Sequence, residues 1–222
     1  MSTLATPMAR STPQPDAFER WWTARGEWVE APNERRNGWS GVVRANTGDR
    51  LCYIKRQRHH LCHSIAHPFG WPTASREAHF LKQVGKLGLQ VPEIVFHGTR
   101  ASAGGTEAVL VTRALEGYAP LSAQTGLNTA QQNALAIAVG RALGVLHRAR
   151  LQHGCLYDKH IMVRWHGEEP EVALLDLEKM RSRFTSQAAA RRDLDQLRRH
   201  QTVLAPAAWR RLIDAHRCAL SA

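Results

Sequence analysis

The sequence predicts an α+β protein of two lobes, a small strand-rich lobe followed by a reduced helical one. Three observations carry that prediction. Between Gly38 and Thr112, short apolar runs alternate with turn residues, and a single segment has helical spacing. After Ala119 the texture changes: residues 129–148 carry Leu135, Ile137, Val139, Leu143 and Leu146 among many alanines, a buried-helix pattern. The 222 residues, 43% of them hydrophobic, suffice for one substantial core or two small lobes sharing an interface, and not for two full-sized domains.

Residues 1–17, rich in Ser, Thr, Pro and Ala, lack apolar periodicity and are expected to form a flexible arm. The next segment, Phe18-Glu-Arg-Trp-Trp to Trp28-Val29, is densely aromatic. It reads as packing against the first lobe, or as a belt at membrane headgroup depth, where Trp is favoured. Gly41-Val-Val-Arg, the turn Asn46-Thr-Gly-Asp and Leu51-Cys-Tyr-Ile-Lys form a hairpin signature. A helix opens at Thr73, with Ala78, Leu81, Val84 and Leu87 on one face and Gly85 and Gly88 loosening its end. Pro92-Glu-Ile-Val-Phe and Ala108-Val-Leu-Val-Thr read as two more strands. The first lobe therefore spans 18–112, and 113–222 hold a connector at 113–118 and the helical lobe. In that lobe, strands at 161–165 and 171–176 flank the turn His166-Gly-Glu-Glu-Pro, and the chain from Ser186 onward is mostly helix.

Lys and Arg exceed Asp and Glu by 30 − 19 = 11, which favours anionic partners without choosing among them. Nucleic acid is a poor match: no ribonucleoprotein-type aromatic motif, zinc-finger spacing or basic heptad helix is present. No run approaches the roughly 20 apolar residues of a membrane span, and the N-terminus lacks the apolar stretch of a signal peptide, so a cytoplasmic location is expected. Cys52, Cys62, Cys155 and Cys218 show no paired spacing, which points to reduced thiols.

The chemistry-bearing residues fall in a telling order. Gly38-Trp-Ser-Gly41 sits on the opening hairpin, where glycines can let backbone amides approach phosphate oxygens; a purely structural turn is the competing reading. Lys55 ends an apolar strand and Glu77 lies on the following helix, an arrangement that can present an ammonium group to phosphates or can be a solvated pair. Then come His153-Gly-Cys-Leu-Tyr-Asp-Lys-His-Ile-Met-Val and Ala173-Leu-Leu-Asp-Leu-Glu-Lys.

These last two segments resemble the catalytic and metal-binding segments of the lipopolysaccharide core (heptose and Kdo) kinase family, within the protein-kinase-like superfamily. The InaA-type branch is the most similar, sharing Glu19-Arg-Trp-Trp, Gly26-Glu-Trp-Val, Gly38-Trp-Ser-Gly-Val, Tyr53-Ile-Lys-Arg-Gln, His67-Pro-Phe-Gly and Tyr157-Asp-Lys-His-Ile. The resemblance covers about Phe18 to about Leu197. It implies a two-lobed protein-kinase-like fold and an ATP- and Mg2+-dependent transfer of phosphate to a sugar hydroxyl. It further implies that Lys55 is the nucleotide lysine, Glu77 its partner, and Asp176 a magnesium ligand. His160 stands at the second metal position, His153 braces the catalytic loop, and Asp193 anchors that loop through backbone amides. The adenine is expected against the connector at Thr112 to Leu115, whose backbone can read its edge. An acceptor at lipopolysaccharide core sugar implies contact with the anionic inner-membrane surface, for which the C-terminal arginines, otherwise a solvated helix face, would serve.

One position departs from the family pattern. Two residues after His153, where an aspartate accepts the substrate proton, the chain has Cys155. A neutral thiol is a poor acceptor for an alcohol proton. Two readings follow: a kinase working by positioning and electrostatics, with Asp158 as substitute base, or a pseudokinase-like nucleotide-binding or stress-response interaction module. His59, His60, Cys62, His63 and His67 invite a metal reading, but their spacing fits no closed zinc site and they are expected in a surface connection. Cys155 as a nucleophile lacks an ordered His-Asn pattern, so a small buried side chain is the better reading.

Overall fold

The Asp16 side chain accepts the Glu19 backbone N–H at 2.7 Å and so caps the short helix α1 (Ala17–Thr23) with which the described chain begins. This computed structural model describes residues 16–35, 38–48 and 50–222. The expected flexible arm lies outside the described residues except at 16–17, as does Asp49 of the expected turn. Phe18 and Trp21 of α1 are buried against Val43, Cys52, Ile54, Val109 and Val111, and the Arg100 guanidinium lies 4.5 Å over the Phe18 ring. The aromatic segment thus supplies core residues.

Five antiparallel strands form the first sheet, in the order β1-β2-β3-β7-β6. These are β1 (Glu27–Arg35), β2 (Gly38–Thr47), β3 (Arg50–Arg58), then after β4 and β5, β6 (Ile94–Ser102) and β7 (Gly105–Arg113). The expected hairpin is β2 and β3. β1 is a strand the sequence reading did not assign. It sits at the sheet edge, holds Pro32 and shifts register twice, so no alternation survives in its sequence. A second difference is the small hairpin β4 (Leu61–Ser64) and β5 (His67–Pro72), where a plain connection was expected. It leaves Ile65 at its tip and Phe69 on β5 exposed, which erases the inward-facing pattern a strand normally shows.

Helix α2 (Thr73–Lys86) buries Ala78, Leu81 and Val84 as expected, while Leu87 ends up as its half-exposed C-cap. The second lobe begins with β8 (Ala119–Pro120) and α3 (Thr129–Arg148), whose start carries a reciprocal Asn128–Gln131 capping box. It continues through β9 (Leu151–Gln152), β10 (Ile161–His166), β11 (Glu169–Leu174), β12 (Arg181–Ser182), α4 (Ser186–His200) and α5 (Pro206–Ser221). On α3, Gly140 and Gly144 let α5 come so close that a Cβ would sit 2.3 Å from the Leu212 carbonyl oxygen and 2.6 Å from the Ala219 methyl.

One apolar cluster runs from α2 and β7 through α3, β10 and β11 to α4 and α5, joining the lobes. The join also uses backbone: the Leu174 N–H donates to the Gln90 carbonyl at 2.9 Å. Because α4 starts at Ser186, no extended loop follows Asp176. No helix among the described residues is long and apolar enough to cross a membrane.

Candidate functional site

A cleft of about 410 Å³ opens between the sheet of the first lobe and β10–β11 of the second, lined by Val42, Lys55, Glu77, Leu110, Thr112, Leu115, Met162, His160 and Asp176, among others. Strand periodicity explains the first set. On β3, Cys52 and Ile54 face the α1 cluster, so Tyr53 and Lys55 face the cleft. On β7, Val109 and Val111 face α1, which turns Leu110 and Thr112 inward.

Lys55 Nζ donates to Glu77 Oε2 at 2.5 Å and to Glu178 Oε2 at 3.1 Å, all three side chains being largely buried. Burial alone would lower the Lys55 pKa, but the carboxylates of Glu77, Glu178 and Asp176 outweigh it and hold the lysine charged, above its ordinary range. Burial pushes the Glu77 carboxyl up against the pull of Lys55, and the neighbouring Asp176 and Glu178 push the same way. Glu178 is also raised by burial, yet Lys55, His60 and Arg76 hold it below the usual carboxylate range. One ammonium group therefore faces three carboxylates, and the cluster favours further positive charge.

Asp176 sits where β11 ends, with φ 59° and ψ 62°, a left-handed conformation that an aspartate adopts only at a local cost. The turn of 3-10 helix that follows, Leu177–Lys179, brings Glu178 to Lys55 and Lys179 to Cys155, the ammonium lying 4.0 Å from Sγ. The sequence reading missed Glu178. Its signal was present, since it lies two residues after Asp176 in the segment Ala173-Leu-Leu-Asp-Leu-Glu-Lys.

The loop 153–160 is held by backbone groups. Asp193 of α4, fully buried, accepts the N–H groups of His153 at 2.6 Å and Gly154 at 2.9 Å, the anchoring arrangement implied for it. Gln196 Oε1 accepts the Leu156 N–H at 3.1 Å. His153 Nε2 donates to the Leu175 carbonyl at 3.0 Å, bracing the loop against β11 and leaving Nδ1 buried without a partner. Burial lowers the His153 pKa, so the ring is neutral. Gly154 has φ +78°, and a Cβ there would lie 2.7 Å from the Lys179 carbonyl oxygen. Behind the loop, Asp193 also accepts from His147 Nε2 at 3.2 Å, and His147 Nδ1 lies 2.9 Å from His216 Nε2 of α5.

Cys155 is buried at the loop tip, and burial pushes its thiol up while Lys179 pulls it down. His160 and Asp176 lie beside it, with His160 Nε2 3.5 Å from Asp176 Oδ2. Asp158 accepts its neighbour's N–H, that of Lys159, at 2.8 Å and is not among the residues lining the cleft. Gly38 and Gly41 do not line it either. A Cβ on Gly38 would meet the Arg58 carbonyl oxygen at 2.2 Å, and one on Gly41 the Trp28 ring at 2.7 Å, so close packing within the sheet accounts for both. Of the histidine-rich segment, Cys62 donates to the Trp71 carbonyl and His67 stacks on Trp71 at 4.2 Å. Among the described residues, the one group of three potential metal ligands is Cys155, His160 and Asp176.

A five-stranded sheet with helices α1 and α2, set against a helical lobe across a cleft holding Lys55, Glu77 and Asp176, defines a protein-kinase-like fold. The structure of WaaP in complex with acyl carrier protein superposes with a TM-score of 0.72 at 19% identity, over 91% of this chain and 83% of that one. The Rio2 kinase–ADP/Mg2+–phosphoaspartate complex from Chaetomium thermophilum gives 0.51 at 15% identity, over 87% of this chain and 66% of that one. Residues 19–216 match the lipopolysaccharide kinase (Kdo/WaaP) family. Protein InaA of Escherichia coli (strain K12) is 37% identical over 200 residues, covering 87% of this chain and 92% of that protein. The chain belongs to the lipopolysaccharide kinase (Kdo/WaaP) family.

Proposed function

We propose that this protein is an ATP-dependent phosphotransferase acting on a sugar hydroxyl of the lipopolysaccharide core type. The observation that carries the reading is the convergence of Lys55, Glu77 and Asp176 in the interlobe cleft, whose lining also includes apolar Val42, Leu110 and Met162. One ammonium among three carboxylates suits the addition of a nucleotide's divalent cation. Mg2+, when bound with ATP, neutralises the phosphates during transfer. Asp176 would hold it, with His160 beside it. Lys55, oriented by Glu77, would bind the phosphates, and leaving Glu178 for them frees one of its present bonds. The backbone at Thr112 to Leu115 would take the adenine edge.

The acceptor side has its own support. A depression of about 590 Å³ next to the loop is lined by His59, His63, Arg76, Lys179 and Arg181. Burial, and then the neighbouring Arg192, Arg76 and Arg183, lower the Arg181 pKa against the pull of Asp193, so positive charge is in excess here and an added anion would be favoured. A phosphorylated or carboxylated core sugar at an anionic membrane surface would supply one.

Cys155 favours a second reading, a nucleotide-binding pseudokinase or stress-response interaction module, because a buried thiol held protonated is no base. Single-turnover transfer to a core-sugar acceptor decides, measured for wild type, Cys155→Asp and Asp158→Asn. A Cys155→Asp rate above wild type supports the enzyme. Equal background rates in all three, with folding and Mg-ATP binding confirmed, end it. Protection of the 112–115 amides from hydrogen exchange by Mg-ATP tests the nucleotide's seat, and unchanged exchange at saturation counts against it.

A further inference from the structure

Replacement of the loop carboxylate by a thiol does more than remove a base. It brings together three chemically different donors: Cys155 Sγ, a ring nitrogen of His160 and a carboxylate oxygen of Asp176, all within 4.8 Å of one another. His160 is the informative member. Its Nδ1 donates to the Cys155 carbonyl at 2.7 Å, which fixes the ring and leaves Nε2 as the nitrogen available to a further ligand. That nitrogen points at Asp176 Oδ2 across 3.5 Å, and the residue is 91% buried, since its relative exposure is 9%. The histidine is buried and the Asp176 side chain is 35% exposed toward the cleft, so a cation placed between Nε2 and Oδ2 would meet both donors. A direct N–H···O bond is a poor answer at that distance, whereas a backbone carbonyl holding the far nitrogen is how proteins orient a metal-bound histidine.

The donor set selects the ion. Magnesium takes oxygen ligands in octahedral array, but a thiolate, an imidazole and a carboxylate suit zinc, with three protein ligands and an open fourth position. We propose that Cys155, His160 and Asp176 form a binding site for a thiophilic divalent transition-metal ion of the zinc class, its fourth position open to the cleft. The inference rests on the loop's geometry and stands apart from the phosphotransfer reading. It shares Asp176 and His160 with the magnesium assignment, so the two ions exclude each other. On binding, the Cys155 S–H bond breaks, the sulfur–metal bond forms, and the proton leaves to solvent. Lys179 Nζ, 4.0 Å from Sγ, favours the thiolate.

The test uses the full chain, stripped with chelator and titrated with Co2+ and then Zn2+ without nucleotide. One equivalent of Co2+ should bind with a thiolate-to-cobalt charge-transfer band, Zn2+ should displace it, and about one proton should be released per ion. Cys155→Ser, or Cys155→Ala if the serine variant does not fold, should lose the band. Asp176→Asn should keep the band but weaken binding about tenfold or more. Cys62→Ser, in the histidine-rich hairpin, should change nothing. No band in folded wild type, or a band that survives Cys155→Ser and vanishes in Cys62→Ser, overturns the proposal. Mg-ATP binding to the metal-free protein is measured separately: its failure would sink the nucleotide reading while leaving the cobalt band, and the reverse outcome would do the opposite.

Discussion

The two walls of the cleft differ in what they retain. On the sheet side, Lys55 is paired with two carboxylates and lies near a third, each group depending on the others for its charge. On the loop side, the bonds that give 153–160 its shape run through backbone amides, Asp193 and Gln196, and none of them involves the side chain at 155. Charges in a buried network cannot be exchanged singly without stranding a partner. Position 155, though buried beside Asp176, can change its side chain without breaking a bond that shapes the loop. The framework and the reactive group of the same loop are thus separable.

If that contrast is correct, the largest effect comes from the loop. Cys155→Asp should raise single-turnover phosphotransfer by roughly a hundred- to ten-thousandfold, the range for a general base, with little change in melting temperature. Asp176→Asn should lower transfer by about a thousandfold, as several kcal/mol of charge stabilisation is lost, and Mg2+ dependence of ATP binding should vanish with it. On the sheet wall the cost should appear in stability instead: Lys55→Met strands Glu77 and Glu178, and denaturant unfolding should register a loss of about 3–5 kcal/mol. A loop-like tolerance at Lys55 would erase the distinction.

The smallest expected effect lies behind the loop, at His216. Burial, His147 and Arg217 push its pKa down to about 4, below the ordinary imidazole value of about 6.5. The unfolded chain therefore takes up the proton first. Stability from this group is complete above about 6.5 and is lost as pH falls toward about 4. Melting temperature should decline over that window, and His216→Asn should flatten part of the decline; an unchanged slope would show that the ring titrates normally.

Much of this architecture was legible because its signals are local. The spacing of Leu135, Val139, Leu143 and Leu146 reports α3, and a lysine on an apolar strand reports Lys55, although β3 runs on to Arg58 instead of ending at the lysine. What was illegible depends on distant partners. β1 lies at an edge with Pro32 and register shifts, and the β4–β5 hairpin leaves Ile65 and Phe69 in solvent, so neither carries a burial pattern. The second carboxylate bonded to Lys55 belongs to Glu178, 123 positions away, and only the turn after Asp176 brings it there. In the other direction, Gly38 and Gly41 suggested a phosphate cradle, whereas their neighbours are a carbonyl and an indole inside the sheet.

The close approach of Gly154 to the Lys179 carbonyl sets an order on any redesign of the segment His153-Gly154-Cys155. An aspartate at 155 is one substitution away, and no bond that shapes the loop opposes it. A side chain at 154 is blocked. It would have to share space with the Lys179 carbonyl oxygen, 2.7 Å from where its Cβ must go, while holding a positive φ that suits glycine. Redesign there would have to shift the 177–180 turn first. Because that same turn carries Glu178 to Lys55, a side chain at 154 could be introduced only by loosening the sheet wall's ion network.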